Sequence, residues 1–337
     1  MSNRALLAAL ALLCAVLFAA SVLTGPADAG IRDSLVALFH DDGGPLTLVM
    51  REIRLPRAVL GLMAGASLGL AGAAIQGFLR NPLAEPGLIG VSASAALGAV
   101  LAIHTGLAAT AVLALPLSGL AGALVAVALI LGIAGGAGQG GLEHGRGGSF
   151  GLILAGVAVS AFAGALTSLV LNLSPNPFAA SEIVFWLMGS LADRSWAEVW
   201  TALPVMAAGW ALLVFAARDL DALTLGEEAA SSLGVNLSRL RLTIVLGVAA
   251  AVGATTAVAG AIGFVGLVVP HLLRSAVGGL PSRLLPASAL GGAALVLAAD
   301  IAVRLILPER DLKLGVMMAL VGTPVFLHLI HRIRRGA

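Results

Sequence analysis

Long apolar runs fill most of the sequence and restrict the folds that are open to this chain. Hydrophobic residues make up 59% of the 337 positions and charged residues only 11%, less than half of the roughly 25% that is usual in soluble domains. Runs of about twenty apolar residues are long enough to cross a bilayer as helices. The sequence therefore predicts an all-α polytopic membrane protein that forms a single transmembrane domain over residues 1–337.

We predict ten membrane-spanning helices, some of them short or broken. The first run, Ala5–Leu23, is longer than the 7–15-residue apolar core of a signal peptide, so an uncleaved span is the preferred interpretation. A cleaved leader is the alternative, because Ala27-Asp28-Ala29 resembles a cleavage site. The remaining spans are expected near residues 58–78, 88–103, 107–133, 150–171, 196–217, 242–259, 262–269, 284–307 and 315–330.

Three segments among these do not fit a simple crossing. Residues 262–269 form a half-length piece that ends at Pro270, and such a piece is tolerated at membrane depth only when it is buried in protein. The run from Glu182 to Ser190 is too short to cross, which favours a re-entrant or interfacial helix. Residues 31–39 are expected to form a short surface helix.

Glycines spaced four apart line one side of the second span. Gly61, Gly65 and Gly69 form a continuous ridge of small residues, and such ridges let the backbones of two membrane helices approach closely. The second span is therefore expected to pack against protein rather than lipid.

Several kinds of chemistry are excluded or disfavoured by the residue inventory. Lys313 is the only lysine and has no G-x-x-x-x-G-K-[ST] frame around it, so the chain has no P-loop and any ATP hydrolysis would belong to another protein. The single cysteine, Cys14, excludes a disulfide within the chain. The histidines are scattered without metal-ligand spacing, and no catalytic cluster is recognisable. We therefore expect no catalytic residue, no metal site and no cofactor on this chain, and we attribute its basic character to membrane topology rather than nucleic-acid binding.

The distribution of basic residues predicts the orientation. With ten spans and Arg4 in the cytoplasm, eleven of the nineteen Lys and Arg residues fall on the cytoplasmic side, which agrees in sign with the positive-inside rule. Both termini and the polar run Arg218–Arg241 are then cytoplasmic.

The run Arg218–Arg241 is polar in an otherwise apolar sequence. Thr224 and Glu227 have the spacing of a capping box at the start of a helix, and Gly234 is a natural helix stop. One face of this helix would carry Leu225, Ala229, Ser232 and Leu233. A capped amphipathic helix outside the membrane is either an ordinary solvated loop helix or a docking element for a partner.

Eight stretches, taken in their order and spacing, resemble the FecCD/BtuC-like permease subunits of importers for iron complexes and vitamin B12. They cover nearly the whole chain, and each is weak alone. They are Arg54-Leu-Pro-Arg57, Gln76 to Gly87 (QGFLRNPLAEPG), Leu154 to Ala158 (LAGVA), Phe185 to Leu191 (FWLMGSL), Gly226 to Asn236, Gly263 to His271 (GFVGLVVPH), Ala299 to Arg304 (ADIAVR) and Gly322 to Phe326 (GTPVF).

The resemblance implies a type II ATP-binding-cassette (ABC) importer in the bacterial inner membrane. Two copies of this chain would assemble in membrane lipid with two cytoplasmic ATPase subunits, which carry ATP and Mg, and with one periplasmic substrate-binding protein. Residues 218–241 would then be the cytoplasmic coupling helices that dock on the ATPase. From helical position, the contacting residues are expected to be Glu227, Ala230, Leu233 and Gly234.

The resemblance also implies two further sites. Arg54, Arg57 and Arg304 match positions that pair with acidic residues of the binding protein, although arginines at helix ends often simply extend to the membrane surface. Asn81 and Leu83, together with Ser149 and Phe150, match the cytoplasmic gate. Without the resemblance, these four residues would be interpreted as a turn and a helix start.

The most specific prediction concerns the substrate. Asp311-Leu-Lys-Leu-Gly315 and Ala180-Ser-Glu-Ile-Val-Phe-Trp186 resemble the haem-importing branch, so haem is favoured, a ferric siderophore comes next, and cobalamin is the alternative. An ion-coupled secondary transporter working alone is a different class. It is disfavoured because the centres of the predicted spans lack charged residues, which such carriers usually hold.

Overall fold

Helices account for almost all of the computed structural model, which describes residues 3–25, 30–40, 43–136, 148–174, 177–306 and 312–336. Within these ranges a π-helical turn, Val49–Arg54, leads into α4, and the 3₁₀ turns Pro86–Ile89 and Leu107–Ala109 flank α5. The α-helices are α1 (Asn3–Leu23), α2 (Ile31–Phe39), α3 (Pro45–Leu48), α4 (Leu55–Phe78), α5 (Val91–His104), α6 (Ala114–Gly136), α7 (Gly148–Asn172), α8 (Pro177–Leu187), α9 (Trp196–Phe215), α10 (Ala217–Leu223), α11 (Glu227–Ser232), α12 (Leu237–Ala259), α13 (Val265–Val277), α14 (Pro281–Ile306) and α15 (Leu314–Gly336).

Seven helices in the described part of the chain are long and apolar enough to cross a membrane: α1, α4, α6, α7, α9, α12 and α14. The apolar helices α5, α8, α13 and α15 are shorter over their described lengths. The all-helical membrane architecture is thus confirmed. The count of ten crossings stays a prediction, because it requires that α5, α13 and α15 also cross.

Helix α4 occupies the centre of the bundle. Nineteen of its residues are buried, and its glycine ridge packs directly on α14: a Cβ atom on Gly65 or Gly69 would collide with the backbone of Gly292 or Ser288. Gly292 faces Gly65 from the other side in the same way. The expected protein-facing position of this span is therefore confirmed, and its cause is backbone contact between two helices.

The predicted break at Pro270 is wrong, because α13 continues through Pro270 to Val277. A proline inside a helix has no N–H and leaves the carbonyl four residues earlier, here that of Gly266, without its usual partner. The buried side chain of Gln76 replaces that partner, since its Nε2 donates to the carbonyl oxygens of Gly266 and Leu267 at 3.4 and 3.2 Å. The expectation that this piece is buried in protein is confirmed by residues 265–270, all of which are buried.

The short helices agree with the sequence in part. The surface helix α2 has the expected bounds, and α8 is a helix of eleven residues, too short to cross. The fourth span begins at Ala114 rather than at residue 107, because a separate 3₁₀ turn precedes it. The cleavage-like segment 27–29 lies outside the described residues.

Two ends of the bundle are used below as reference points. We call the "α11 end" the one at which α4 and α9 finish, α14 begins, and α10 and α11 lie. We call the "Asp300 end" the opposite one, where α1 finishes, α4 begins, and Asp300 lies near the end of α14. Gly77 packs against Pro281 at the first, and Arg57 bonds to Asp300 at the second.

Candidate functional site

Helix α11 is capped differently from the sequence prediction. It starts at Glu227 after Gly226, whose φ of 108° favours glycine, and the Thr224 hydroxyl donates backward to the Asp221 carbonyl at 2.7 Å. Thr224 is therefore not the N-cap, and the predicted capping box is wrong. Gly226, which lies between Thr224 and Glu227, has a non-helical backbone conformation, so the helix starts after the threonine.

The end of α11 agrees with the sequence prediction. Gly234 has a φ of 89°, the Val235 N–H donates to the Ala230 carbonyl, and the Gly234 N–H donates to that of Ser231. This pair of bonds is a Schellman motif, which satisfies the last carbonyls of a helix. The motif turns the chain sharply into α12, whose start is capped by the side chain of Asn236.

Exposed apolar side chains flank α11 on both sides. Leu225 and Leu233 are 68% and 65% exposed, and Gly234 beside them is also exposed. Ala230 is fully buried, so it supports the helix from inside. Of the four residues predicted to contact an ATPase, Glu227, Leu233 and Gly234 are therefore accessible and Ala230 is not; the contact itself stays a prediction.

Helices α10 and α11 are tied to two of the long helices. Arg80, just after α4, forms an ion pair with Glu227 at 3.5 Å. Asp221 in α10 accepts the backbone N–H of Ser282 at 2.8 Å, so its carboxylate caps the first turn of α14, where negative charge is favourable. Sequence reasoning missed Arg80 and Asp221 because no pattern within one segment reveals a partner about 60 or more residues away.

A cluster of three arginines and one aspartate forms the Asp300 end. Arg57 donates from Nε and Nη2 to Asp300 Oδ1 at 3.0 and 2.7 Å. Arg304, one turn later on α14, bonds to the other carboxylate oxygen at 2.9 Å. The Asp300 side chain is 1% exposed, that of Arg304 9% and that of Arg57 18%.

The same cluster caps the end of α1. Arg304 Nη1 donates to the carbonyl oxygens of Ser21 and Thr24 at 2.8 and 2.6 Å. Arg54, which is 4% exposed, donates to the carbonyl oxygen of Leu23 at 3.1 Å. The last carbonyls of a helix have no partner within it and carry partial negative charge, so cations are favourable there.

The three arginines predicted for docking are thus brought together by the fold. Their guanidinium groups bond inward, and simple extension to the membrane surface does not describe them. Asp300 was missed as a site residue, although an acid inside an apolar span is itself a signal. Among the described side chains that form this cluster, three are arginines and one is a carboxylate.

Nearby, Arg194 lies in the segment before α9. Burial lowers the pKa of its guanidinium, and the charges of Glu198 and Asp193 act in the opposite direction.

The predicted gate residues are described only in part. Asn81 Oδ1 accepts the N–H of Leu83 at 2.9 Å, which is the short turn that the sequence also allowed. Helix α7 begins at Gly148, but the side chains of Ser149 and Phe150 lie outside the described residues. The pairing of these two places in a gate stays a prediction.

A carboxylate meets the start of α13. Glu85 Oε1 accepts the N–H of Phe264 at 3.1 Å, and Glu85, Gly263 and Gly266 help to line a cavity of about 150 Å³. Within the described residues, no three His, Cys, Asp or Glu side chains group together to hold a metal ion.

Comparison with known proteins was made for the whole chain. Residues 12–332 match the model of the FecCD transport family. The chain is 41% identical over 283 residues to the cobalamin import system permease protein BtuC of Halobacterium salinarum, covering 84% of this chain and 73% of that protein. It is 38% identical over 286 residues to the hemin transport system permease protein HmuU of Yersinia pestis, with coverage of 84% and 83%.

One solved structure is similar over almost its full length. It is a chain described as part of a metal-chelate type ABC transporter in an inward-facing conformation, with 30% sequence identity and a TM-score of 0.84. The match covers 98% of this chain and 99% of that one.

Proposed function

Because the chain belongs to the FecCD transport family, we propose that it is the permease subunit of an ABC importer in the bacterial inner membrane, with both termini in the cytoplasm. Its relatives are named as permease proteins of import systems. Since the sequence has no P-loop, ATP hydrolysis belongs to separate ATPase subunits. The proposed assembly contains two copies of this chain, two ATPases and one periplasmic binding protein.

The observation that carries the proposal is the connection of α10 and α11 to the long helices. The exposed apolar side chains of Leu225 and Leu233, which flank α11, suit a socket on a partner. The same two short helices contact the end of α4 through Glu227 and the start of α14 through Asp221. A force applied to α11 would therefore reach helices that run through the bundle.

The direct test is reconstitution of the intact chain with candidate ATPase subunits encoded beside it. We expect the chain to capture an ATPase and to support uptake only with hydrolysable ATP. Leu233→Asp should abolish capture, whereas Leu35→Asp, the same change at an exposed leucine of α2, serves as a control. Substrate uptake without any ATPase would instead favour the secondary transporter.

For docking of the binding protein, we propose Arg57 as the principal contact. Its side chain is the most exposed of the three cluster arginines, and its bonds to Asp300 use only Nε and Nη2. Arg54 and Arg304 would act by holding the end of α1 and by adding positive charge. An acidic surface on the binding protein would be attracted to such a cluster.

Charge removal at Arg57 tests this assignment. Arg57→Gln should weaken affinity for the binding protein in low salt, with a smaller difference in high salt. Arg32→Gln, on the exposed face of α2, is the matched control. Equal affinity of the Arg57 variant and the control at low salt would overturn the docking assignment.

For the substrate, we propose an iron complex, with haem favoured and a ferric siderophore next. The two stretches that suggested haem contact each other in space, since Lys313 Nζ lies 5.6 Å from the centre of the Phe185 ring. A cation beside an aromatic face suits a flat, anionic chelate. Cobalamin remains the alternative, because relatives named for cobalamin and hemin are similarly close in sequence.

The substrate is tested by competition. Reconstituted importer with its binding protein should accumulate haem, and unlabelled haem should compete better than ferric siderophores or cobalamin. Preferential uptake of cobalamin would overturn the iron-complex assignment while leaving the permease function intact.

A further inference from the structure

An apolar groove of about 580 Å³ opens between α1, α4, α9 and α14, toward the α11 end. Ala8, Ala66, Val214 and Leu290 are among the residues that line it. The polar atom of Trp210 in this lining is already satisfied, because its indole N–H donates to Ser67 Oγ at 2.8 Å. Trp210 therefore contributes only apolar surface to the groove, because its N–H already has a partner.

The groove has a firm wall on the side of α1. Cys14, one turn beyond Ala11, donates from Sγ to the Leu290 carbonyl oxygen at 3.0 Å and packs with Ala293 and Ala294 of α14. Helix α1 is thus joined to α14 on the side of the groove that faces away from the α11 end.

Three exposed arginines stand at that end of the groove: Arg4, Arg218 and Arg283. Two of them lie one helical turn from a lining residue of the same helix, because Ala8 follows Arg4 by four positions and Pro286 follows Arg283 by three. Arg218 lies near the start of α10, just beyond the end of α9 and its lining residue Val214. Residues three or four apart share a helix face. Side chains lean toward the start of their helix, so Arg4 and Arg283 point away from the apolar groove and toward the membrane surface.

The charge balance at this end is positive. Among the described residues, the acids at this end are Asp219 and Asp221 in α10 and Glu227 and Glu228 in α11. Asp221 already accepts the N–H of Ser282, and Glu227 pairs with Arg80. A molecule that fits the groove would therefore have a long apolar part beside Ala66 and a negatively charged group beside the three arginines.

We propose that the groove binds an anionic phospholipid, with one acyl chain between α1 and α9 and the phosphate held by Arg4, Arg218 and Arg283. Basic pockets between membrane helices suit anionic head groups, and the charge term falls off within a Debye length of the surface. Under the proposed orientation the lipid comes from the cytoplasmic leaflet. It would occupy the space beside α9 and α14, the helices that flank α10.

Native mass spectrometry of the purified chain, delipidated and then mixed with phosphatidylglycerol or phosphatidylcholine, tests the proposal. We expect one phosphatidylglycerol to stay bound under conditions that remove phosphatidylcholine. Arg4→Gln with Arg283→Gln should weaken this binding by roughly fivefold for each arginine removed. The control pair Arg32→Gln and Arg239→Gln, both exposed, removes the same charge elsewhere and should leave binding unchanged.

The acyl part is tested without changing charge. Ala8→Phe, at an exposed position on the rim of the groove, should fill it and release the lipid, whereas Ala128→Phe on the exposed side of α6 should not. Brominated phosphatidylglycerol should quench the fluorescence of Trp210, measured as the difference from Trp210→Phe. Equal retention of both lipids, equal binding by the two arginine pairs, or no quenching of Trp210 would overturn the site.

Discussion

At the residue scale, the buried carboxylate of Asp300 holds the arginine cluster together. It accepts from Arg57 and Arg304 at once, while those arginines and Arg54 hold the end of α1. We predict that Asp300→Asn, which keeps the shape and removes the charge, lowers the free energy of unfolding by about 3–5 kcal/mol, the range for breaking a buried ion pair. Thermal unfolding of the purified protein in detergent measures this.

The matched control is Glu227→Gln, which breaks the Arg80 pair. That pair is exposed, with side chains 48% and 25% accessible, and exposed pairs contribute at most about 1 kcal/mol. Equal unfolding temperatures for the Asp300 and Glu227 variants would show that the cluster does not support the fold.

Residue-scale contacts across the bundle were also the hardest to predict from sequence. The motif containing Gln76 was recognisable, but its role depends on Pro270, nearly 200 positions away, and on Arg274, whose Nη2 donates to Gln76 Oε1 at 2.8 Å. Phe264 is similar: its left-handed φ of 67° is held by Glu85, and its ring packs against Gly322. Such pairings depend on the three-dimensional fold, so no local pattern contains them.

At the scale of elements, the sequence predicted most helices because membrane helices are defined by length and apolar content. It failed where a single backbone feature decides a boundary. Gly226 moved the start of α11 past Thr224, and Gln76 allowed α13 to continue past Pro270. The packing of the α4 glycine ridge against protein was predicted correctly, because glycines spaced four apart on one face let another helix approach closely.

The contact between the glycine ridge of α4 and the backbone of α14, which we call the glycine seam, predicts the effect of adding a single methyl group on stability. In Gly69→Ala the new Cβ would collide with the Ser288 carbonyl, and overpacking of this kind costs about 1–3 kcal/mol. Gly164→Ala in α7 is the control, because a Cβ there meets no atom within 4 Å. Both changes have the same helix-propensity gain of roughly 1 kcal/mol. The difference between their unfolding temperatures therefore measures the cost of the collision between α4 and α14. A Gly69 variant as stable as the control would contradict the prediction.

At the scale of the whole molecule, the sequence predicted the family, the membrane class and the general places of the two ends. It could not show how each end is held to the long helices, because the contacts are formed by Arg80 with Glu227 and Asp221 with Ser282 at one end, and by Asp300 with two arginines at the other. Helices α4 and α14 take part at both ends and share the tight glycine seam between them. We infer that these two helices move as one body, with α10 and α11 attached at one end and the arginine cluster at the other.

This arrangement predicts that the link between α10 and α14 can be cut without removing the docking surface. Asp221→Ala removes the cap from the start of α14, at a cost of about 0.5–2 kcal/mol, but leaves Leu225 and Leu233, on either side of α11, exposed. In the reconstituted importer we expect ATPase capture to be unchanged and uptake per ATP hydrolysed to fall several-fold. Asp219→Ala, two positions earlier on the same helix, should leave both quantities unchanged. If Asp221→Ala transports as well as Asp219→Ala for each ATP, force from the ATPase reaches the bundle by another route, of which the Arg80–Glu227 pair is the next to test.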